Sequence, residues 1–270
     1  MKILHSLISI IILLLWCNVA LAGWVIVIRH NTPDGLIIYE TLTIDGKLIK
    51  SSSLQGTFVI NLETGIFKMV SQREMACWQG KAEDFRAAMD SAMHNVVDTY
   101  LKGLPAKQKE LYAPVIEGMK DMFSPLSGEK LDTLRIVLEK TSEIADIAGY
   151  QSEKYLVMVD GKQTEEVWVA PLLTLSVDFE GLAAARCFNQ VKPLYQGEIP
   201  YDRSDAYLKV WDKGFRMKSN AISGKASQVI KVAEQVVDKS EFDIPEGFRV
   251  MTAGEIIRKQ LFYGDSDNPD

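Results

Sequence analysis

The chain has 270 residues, 47% of them hydrophobic and 24% charged, and its 36 acidic side chains outnumber 30 basic ones for a formal net charge of −6. An acidic balance argues against a nucleic-acid partner, whose phosphates require a basic surface. The length suffices to bury one large core.

Lys2, an apolar run from Leu7 to Trp16 and the small-x-small triplet Ala20-Leu21-Ala22 follow the order of a secretory signal cleaved after Ala22. The run is shorter than the roughly 20 residues of a bilayer span. Trp16 precedes Cys17 where lipoprotein signals carry a small residue, which argues against lipidation. The expected organisation is a signal peptide over 1–22, a single domain over 23–263 with a helical insertion at 82–124, and a frayed acidic tail over 264–270. The expected location is periplasmic or secreted, with no transmembrane segment in the mature form. Cys77 and Cys187 then meet an oxidising environment, and stand open between one disulfide and two buried free thiols.

From Trp24 to Gln79 the pattern is β. Short runs at 24–28, 36–44, 47–53, 57–61, 66–70 and 75–78 predict an antiparallel meander, with turns at Asp45-Gly46 and Glu63-Thr64-Gly65. From Ala82 the apolar period becomes helical, through Phe85, Ala88, Met89, Ala92, Met93, Val96 and Val97. Pro105 suits the first turn of a second helix striped by Leu111, Val115, Met119, Met122 and Phe123.

Strands resume at 133–138. Two more, within 147–170, flank Asp160-Gly161, whose residues both accept positive φ. A third helix is expected over 178–195. Residues 209–211 and 215–219 read as extended, 242–248 as a strand ending in a Pro-Glu-Gly turn, and 253–263 as a short helix. Residues 228–238 are ambiguous. Val229, Val232, Ala233, Val236 and Val237 form a helical stripe, while the richness in valine favours a strand.

Little in the chain suggests catalysis. No His or Cys stands at zinc spacing, no phosphate loop or nucleophile elbow occurs, and no cofactor is expected. Glu165 and Glu166 are adjacent in a strand and so point to opposite faces. Glu83 and Asp84 fall in a first helical turn, where acids favour the helix dipole. Apolar surface remains. Met89, Met93 and Val97 on one helix, and Met119, Met122 and Phe123 on the next, are either core or the lining of a cavity for a hydrophobic ligand.

Several short stretches carry a family resemblance. Ile147-Ala148-Gly149-Tyr150, Lys154-Tyr155, Val159-Asp160-Gly161-Lys162 and Glu166-Val167-Trp168-Val169 resemble the core signature of an exported bacterial group, the domain-of-unknown-function family 4412. Gly214-Phe215 with Met217-Lys218, residues 242–248, and Val59-Ile60-Asn61-Leu62 with Gly65, Met69 and Trp78 resemble its other strands. That family is similar in shape to periplasmic lipoprotein carriers of the LolA type. The resemblance implies an α+β fold, a strongly curved antiparallel sheet (an open half β-barrel) with helices on its concave side. It implies a strand at 228–238, and makes Tyr155 and Trp168 core or cavity-wall aromatics. No cavity arginine of the carriers is matched residue by residue. The function so implied is non-catalytic binding or carriage of a lipid or acyl chain. The alternative is an envelope protein-interaction or assembly module with a closed core.

Overall fold

A computed structural model describes residues 22–262, apart from 55, 89–90, 93–94, 96–103, 106, 109, 111–133, 174, 176–178 and 192–200. Strands β1 (Ala22–Asn31), β2 (Ile37–Asp45), β3 (Leu48–Ser53), β4 (Gly56–Asn61), β5 (Ile66–Ser71) and β6 (Ala76–Lys81) form an antiparallel meander. Strands β7 (Ile136–Ile147), β8 (Tyr150–Val159), β9 (Lys162–Ala170), β10 (Phe215–Ala221) and β11 (Ala226–Val236) form a second. β1 and β11 pair from Ala22 opposite Val236 to Asn31 opposite Ala226, which joins the two meanders. β12 (Arg249–Val250) adds to β6 in parallel. The result is one open, mostly antiparallel sheet of 12 strands with β12 and β7 outermost.

Among the described residues the helices are few. α1 starts at residue 82 and is described over 82–88, 91–92 and 95. α2 spans Gly181–Val191, α3 Asp205–Leu208 and α4 Ala253–Phe262. No helix among the described residues is long and apolar enough to cross a membrane.

The period-two alternation of the strands builds the core. Ile26, Ile44, Ile49, Ile60 and Phe67 from the first meander share one buried cluster with Phe85 of α1, Ala184 of α2 and Ile256 of α4. Phe67 is its aromatic hub, within 6.2 Å of the rings of Phe58, Trp78 and Phe85. A second cluster places Tyr155, Val157, Val167 and Val169 against Tyr207, Leu208 and Val210, so α3 and the 3-10 turn Lys209–Lys213 cover that part of β8 and β9. A third seats Phe242 on Val59 and Val237.

Local chemistry explains where the structure departs from expectation. Residues 228–238 belong to β11 up to Val236, as the resemblance implies and the helical period does not. The first turn lies one residue later than expected, at 46–47, with Gly46 at φ 56 as the leading residue of a hairpin turn. Ile147 and Tyr150 do not lie in one strand. Ala148 (φ 52) and Gly149 (φ 85) make a second tight turn between β7 and β8, and Asp146 Oδ1 accepts a 3.1 Å hydrogen bond from the Gly149 amide. Residues 209–211, expected extended, wind into the 3-10 turn. Residues 242–248 are not a strand. Asp238 caps a 3-10 turn (Lys239–Phe242) by accepting from the Ser240 amide, and pairing resumes only at Arg249. The helical insertion lies mostly outside the described residues, as do 1–21 and the tail at 264–270. The expected cleavage boundary falls at the first residue of β1.

Candidate functional site

Of the residues expected to line a cavity, Met89, Met93, Val97, Met119, Met122 and Phe123 lie outside the described residues. Tyr155 and Trp168 are both buried, but they do not share a wall. Tyr155 stands opposite Val167 on β9, and Trp168 stands opposite Lys154 on β8. Because successive strand residues alternate, the two rings occupy opposite faces of the sheet. Tyr155 packs with Val157 and Val167 and donates from its hydroxyl to Glu153. The Trp168 ring has the Lys154 ammonium 5.1 Å and the Lys218 ammonium 4.7 Å from its centre. Lys154 also pairs with Glu166 at 2.9 Å and Glu143 at 3.1 Å.

A half-open cleft of about 170 Å³ is lined by Leu173, Leu175, Phe179, Trp211 and Phe215, with Gly181 and Gly214 completing it. Gly214 is required here. Its φ is 136°, and a Cβ would meet the Ala170 carbonyl oxygen at 2.4 Å. The close approach lets Trp211 turn back onto Phe215, edge to face at 5.6 Å.

A polar row crosses the sheet face that carries Ile26, Ile44 and Ile49. Glu40 is its centre. Ser51 Oγ donates to Glu40 Oε1 at 2.6 Å, and His30 Nε2 donates to Glu40 Oε2 at 2.8 Å. The hairpin registers create this group, with Glu40 opposite Ile28 on β1 and Leu42 opposite Ser51 on β3. The row continues from His30 to Ser227 and Ser219, whose hydroxyls are 3.2 Å apart. Burial alone raises the Glu40 carboxyl. The hydrogen bonds from His30 and Ser51, with the charge of Arg216, outweigh it and hold the group below the usual carboxylate range. The order is serine, carboxylate, imidazole. A nucleophilic triad needs the base between the other two, and here the serine proton is held by the carboxylate. The group organises the sheet and does not generate a nucleophile.

A second polar group is deeper. Tyr207 is 2% exposed and donates to Glu165 Oε2 at 3.0 Å, and Tyr201 donates to the same oxygen at 3.2 Å. Arg216 Nη1 donates to the Tyr207 hydroxyl at 2.9 Å, and its guanidinium lies over Trp211. Burial, with the Glu165 charge added, pushes both tyrosine hydroxyls up, so they remain donors across the physiological range.

Among the described residues, Cys77 and Cys187 are not joined to one another. Cys77 alternates with Ala76 and Trp78, which face the main core, so its sulfur points the other way, 3.7 Å from the Arg249 carbonyl. Cys187 packs on that core from α2. Burial raises both thiols. Among the described residues, no group of three or more His, Cys, Asp or Glu side chains is placed to hold a metal ion.

No family model matches the chain, and no curated protein does. Among solved structures it is similar to PNGF-II in a C2 crystal form, at 12% identity and a TM-score of 0.39, over 88% of this chain and 33% of that one. It is also similar to an uncharacterized conserved protein from Thermus thermophilus, at 7% identity and a TM-score of 0.38, over 86% of this chain and 90% of that one. The chain spans about a third of the length of PNGF-II. Likenesses this remote assign no activity.

Proposed function

We propose that the chain is an exported, non-catalytic protein that binds or carries a hydrophobic ligand, a lipid or acyl chain, beneath a curved half-barrel sheet. The observation that carries this reading is the aromatic-walled cleft of Leu173, Leu175, Phe179, Trp211 and Phe215. Its volume of about 170 Å³ is below the roughly 300–1,000 Å³ of sites that enclose a whole small molecule. It suits the end of an acyl chain. The Met-rich stripes expected over 82–123, and the resemblance of 147–169 to an exported family similar in shape to the lipoprotein carriers, support the same reading. Ser51 gives its proton to a carboxylate and not to an imidazole, which weighs against a serine hydrolase.

The test is native mass spectrometry of protein purified from its own cell envelope, with an apolar fluorophore titrated into the delipidated protein. Co-purifying lipid and saturable fluorescence enhancement are expected. Repeated absence of both overturns the reading.

A further inference from the structure

The sheet carries a second arrangement with no part in an acyl site. Four residues stand side by side across four strands. Lys218 of β10 is opposite Gln228 of β11, Gln228 is opposite Arg29 of β1, and Arg29 is opposite Tyr39 of β2. Strands lie roughly 4.8 Å apart, so the backbones that carry the two cations are about 10 Å apart with that of Gln228 between them. All four belong to the face opposite Ser219, Ser227 and His30, because they alternate with them along the same strands.

Two features make this row unlike an ordinary solvated surface. First, among the described residues neither cation has a carboxylate within ion-pair distance. The Lys218 ammonium rests 4.7 Å from the centre of the Trp168 ring, whose other flank is taken by Lys154. Trp168 therefore holds Lys218 in place without neutralising it. Second, Arg29 Nε and Asn31 Oδ1, two residues apart on the same face, are shielded from solvent and make no hydrogen bond. A buried polar group left without a partner destabilises the free protein, which favours a ligand that supplies one. One is a donor on a cation and the other is a neutral acceptor. A ligand that settles both must bring an oxyanion and a hydroxyl donor close together. A fatty carboxylate brings only the first, and a phosphodiester brings the second only where its headgroup or sugar carries a free hydroxyl.

We infer that the row Lys218, Gln228, Arg29 and Tyr39 is a binding site for an acidic oligosaccharide, one that carries a carboxylate and free hydroxyls on its sugar rings. The carboxylates lie over Lys218 and Arg29 as charge-assisted pairs, and the residue between them meets the Gln228 amide. Tyr39, 55% exposed, offers a flat ring with a polar tip to the apolar face of the next sugar. Turning the Asn31 amide and the Arg29 guanidinium toward sugar hydroxyl and carboxylate satisfies both unpaired atoms. The spacing between strands is close to the rise of one pyranose along an extended glycan, so acid on alternate residues matches a cation on alternate strands. The chain's net charge of −6 repels a long polyanion elsewhere and confines binding to this row.

The experiment is isothermal titration calorimetry of the whole purified chain with a hexasaccharide bearing uronic acid on alternate residues. Its carboxyl-reduced counterpart, a single-stranded oligonucleotide of equal charge and vesicles of anionic phospholipid serve as competitors. The uronate hexasaccharide is expected to bind and to weaken as salt rises. Gln228→Glu sets a carboxylate between the two cations, and Arg29→Gln removes one of them. Each should weaken binding by at least about tenfold, while Lys213→Gln leaves it unchanged. Circular dichroism checks the fold of each variant, and if Arg29→Gln does not fold, the near-isosteric Gln228→Glu decides. No binding, equal binding of the reduced sugar, unchanged binding by Gln228→Glu, or tighter binding of oligonucleotide or vesicles each overturns the inference.

Discussion

The Tyr207 hydroxyl gives its proton to Glu165 at 3.0 Å while accepting one from Arg216 at 2.9 Å, so one buried oxygen bridges two charges of opposite sign. Tyr207→Phe removes the bridge and keeps the ring. The buried carboxylate and the guanidinium each lose a partner. The expected loss of unfolding free energy is about 1–3 kcal/mol, measured as a lower urea midpoint with unchanged slope.

Glu40 predicts how stability depends on pH. Burial works against its charge, but the His30 and Ser51 hydrogen bonds with Arg216 outweigh burial, so the folded pKa is lowered. A lowered carboxylate contributes stability that is fully present above its unfolded value and is lost as pH falls through the folded value. Unfolding free energy should therefore fall on acidification below the ordinary carboxylate range. Glu40→Gln should flatten that slope in denaturant titrations at stepped pH. An unchanged slope would refute the assignment.

Gly214 sits where a side chain has no room. Gly214→Ala places a Cβ against the Ala170 carbonyl at a φ of 136°. The left-handed backbone alone costs about 1–3 kcal/mol, and the clash adds to it. Thermal unfolding should show a clear drop, accompanied by altered Trp211 fluorescence because the cleft closes on that ring.

Ala148 offers the reverse. It holds φ 52 in the tight turn between β7 and β8, a conformation that asparagine and glycine adopt more readily than alanine. Ala148→Asn should raise stability by roughly 0.5–1 kcal/mol, read as a higher melting temperature.

The cleft can be filled directly. Leu175→Trp puts a larger side chain into a cleft of about 170 Å³. It should abolish enhancement of an apolar fluorophore while circular dichroism stays unchanged. Full retention of fluorophore binding would place the ligand elsewhere.

Much of the sheet was legible because its signals are local. Val59-Ile60-Asn61 and Ile66-Phe67-Lys68 alternate across a glycine turn, and the pairing Asn61 to Ile66 follows. The tight turn at Ala148-Gly149 was hidden, because alanine is a poor turn residue and the register rests on a hydrogen bond from the Gly149 amide to the Asp146 side chain. Residues 228–238 misled for another reason. Bulged pairing between β1 and β11 shifts the alternation at Val27/Ile28, which leaves a spacing of three between Val229 and Val232 that mimics a helix. The polar row from Ser51 to Ser219 could not be read before the registers were known. Its members are 11, 10 and nearly 200 residues apart, and no short motif joins them. The separation of Tyr155 from Trp168 follows from parity once the residues of β9 are counted.

The pairing of β1 with β11 sets the order in which this molecule can assemble. Each meander can zip from its own turns, but the strand that begins at Ala22 has to wait for residues past 225. Until that seam closes, both halves expose a bare row of amides and carbonyls at what becomes the middle of the sheet. Closing it brings together the ends of nearly the whole chain, the pairing of highest loop-closure cost in the sheet. A chain cut short before β11 would keep the first half's hairpins and lose the one partner that keeps its first strand from pairing with a neighbouring molecule.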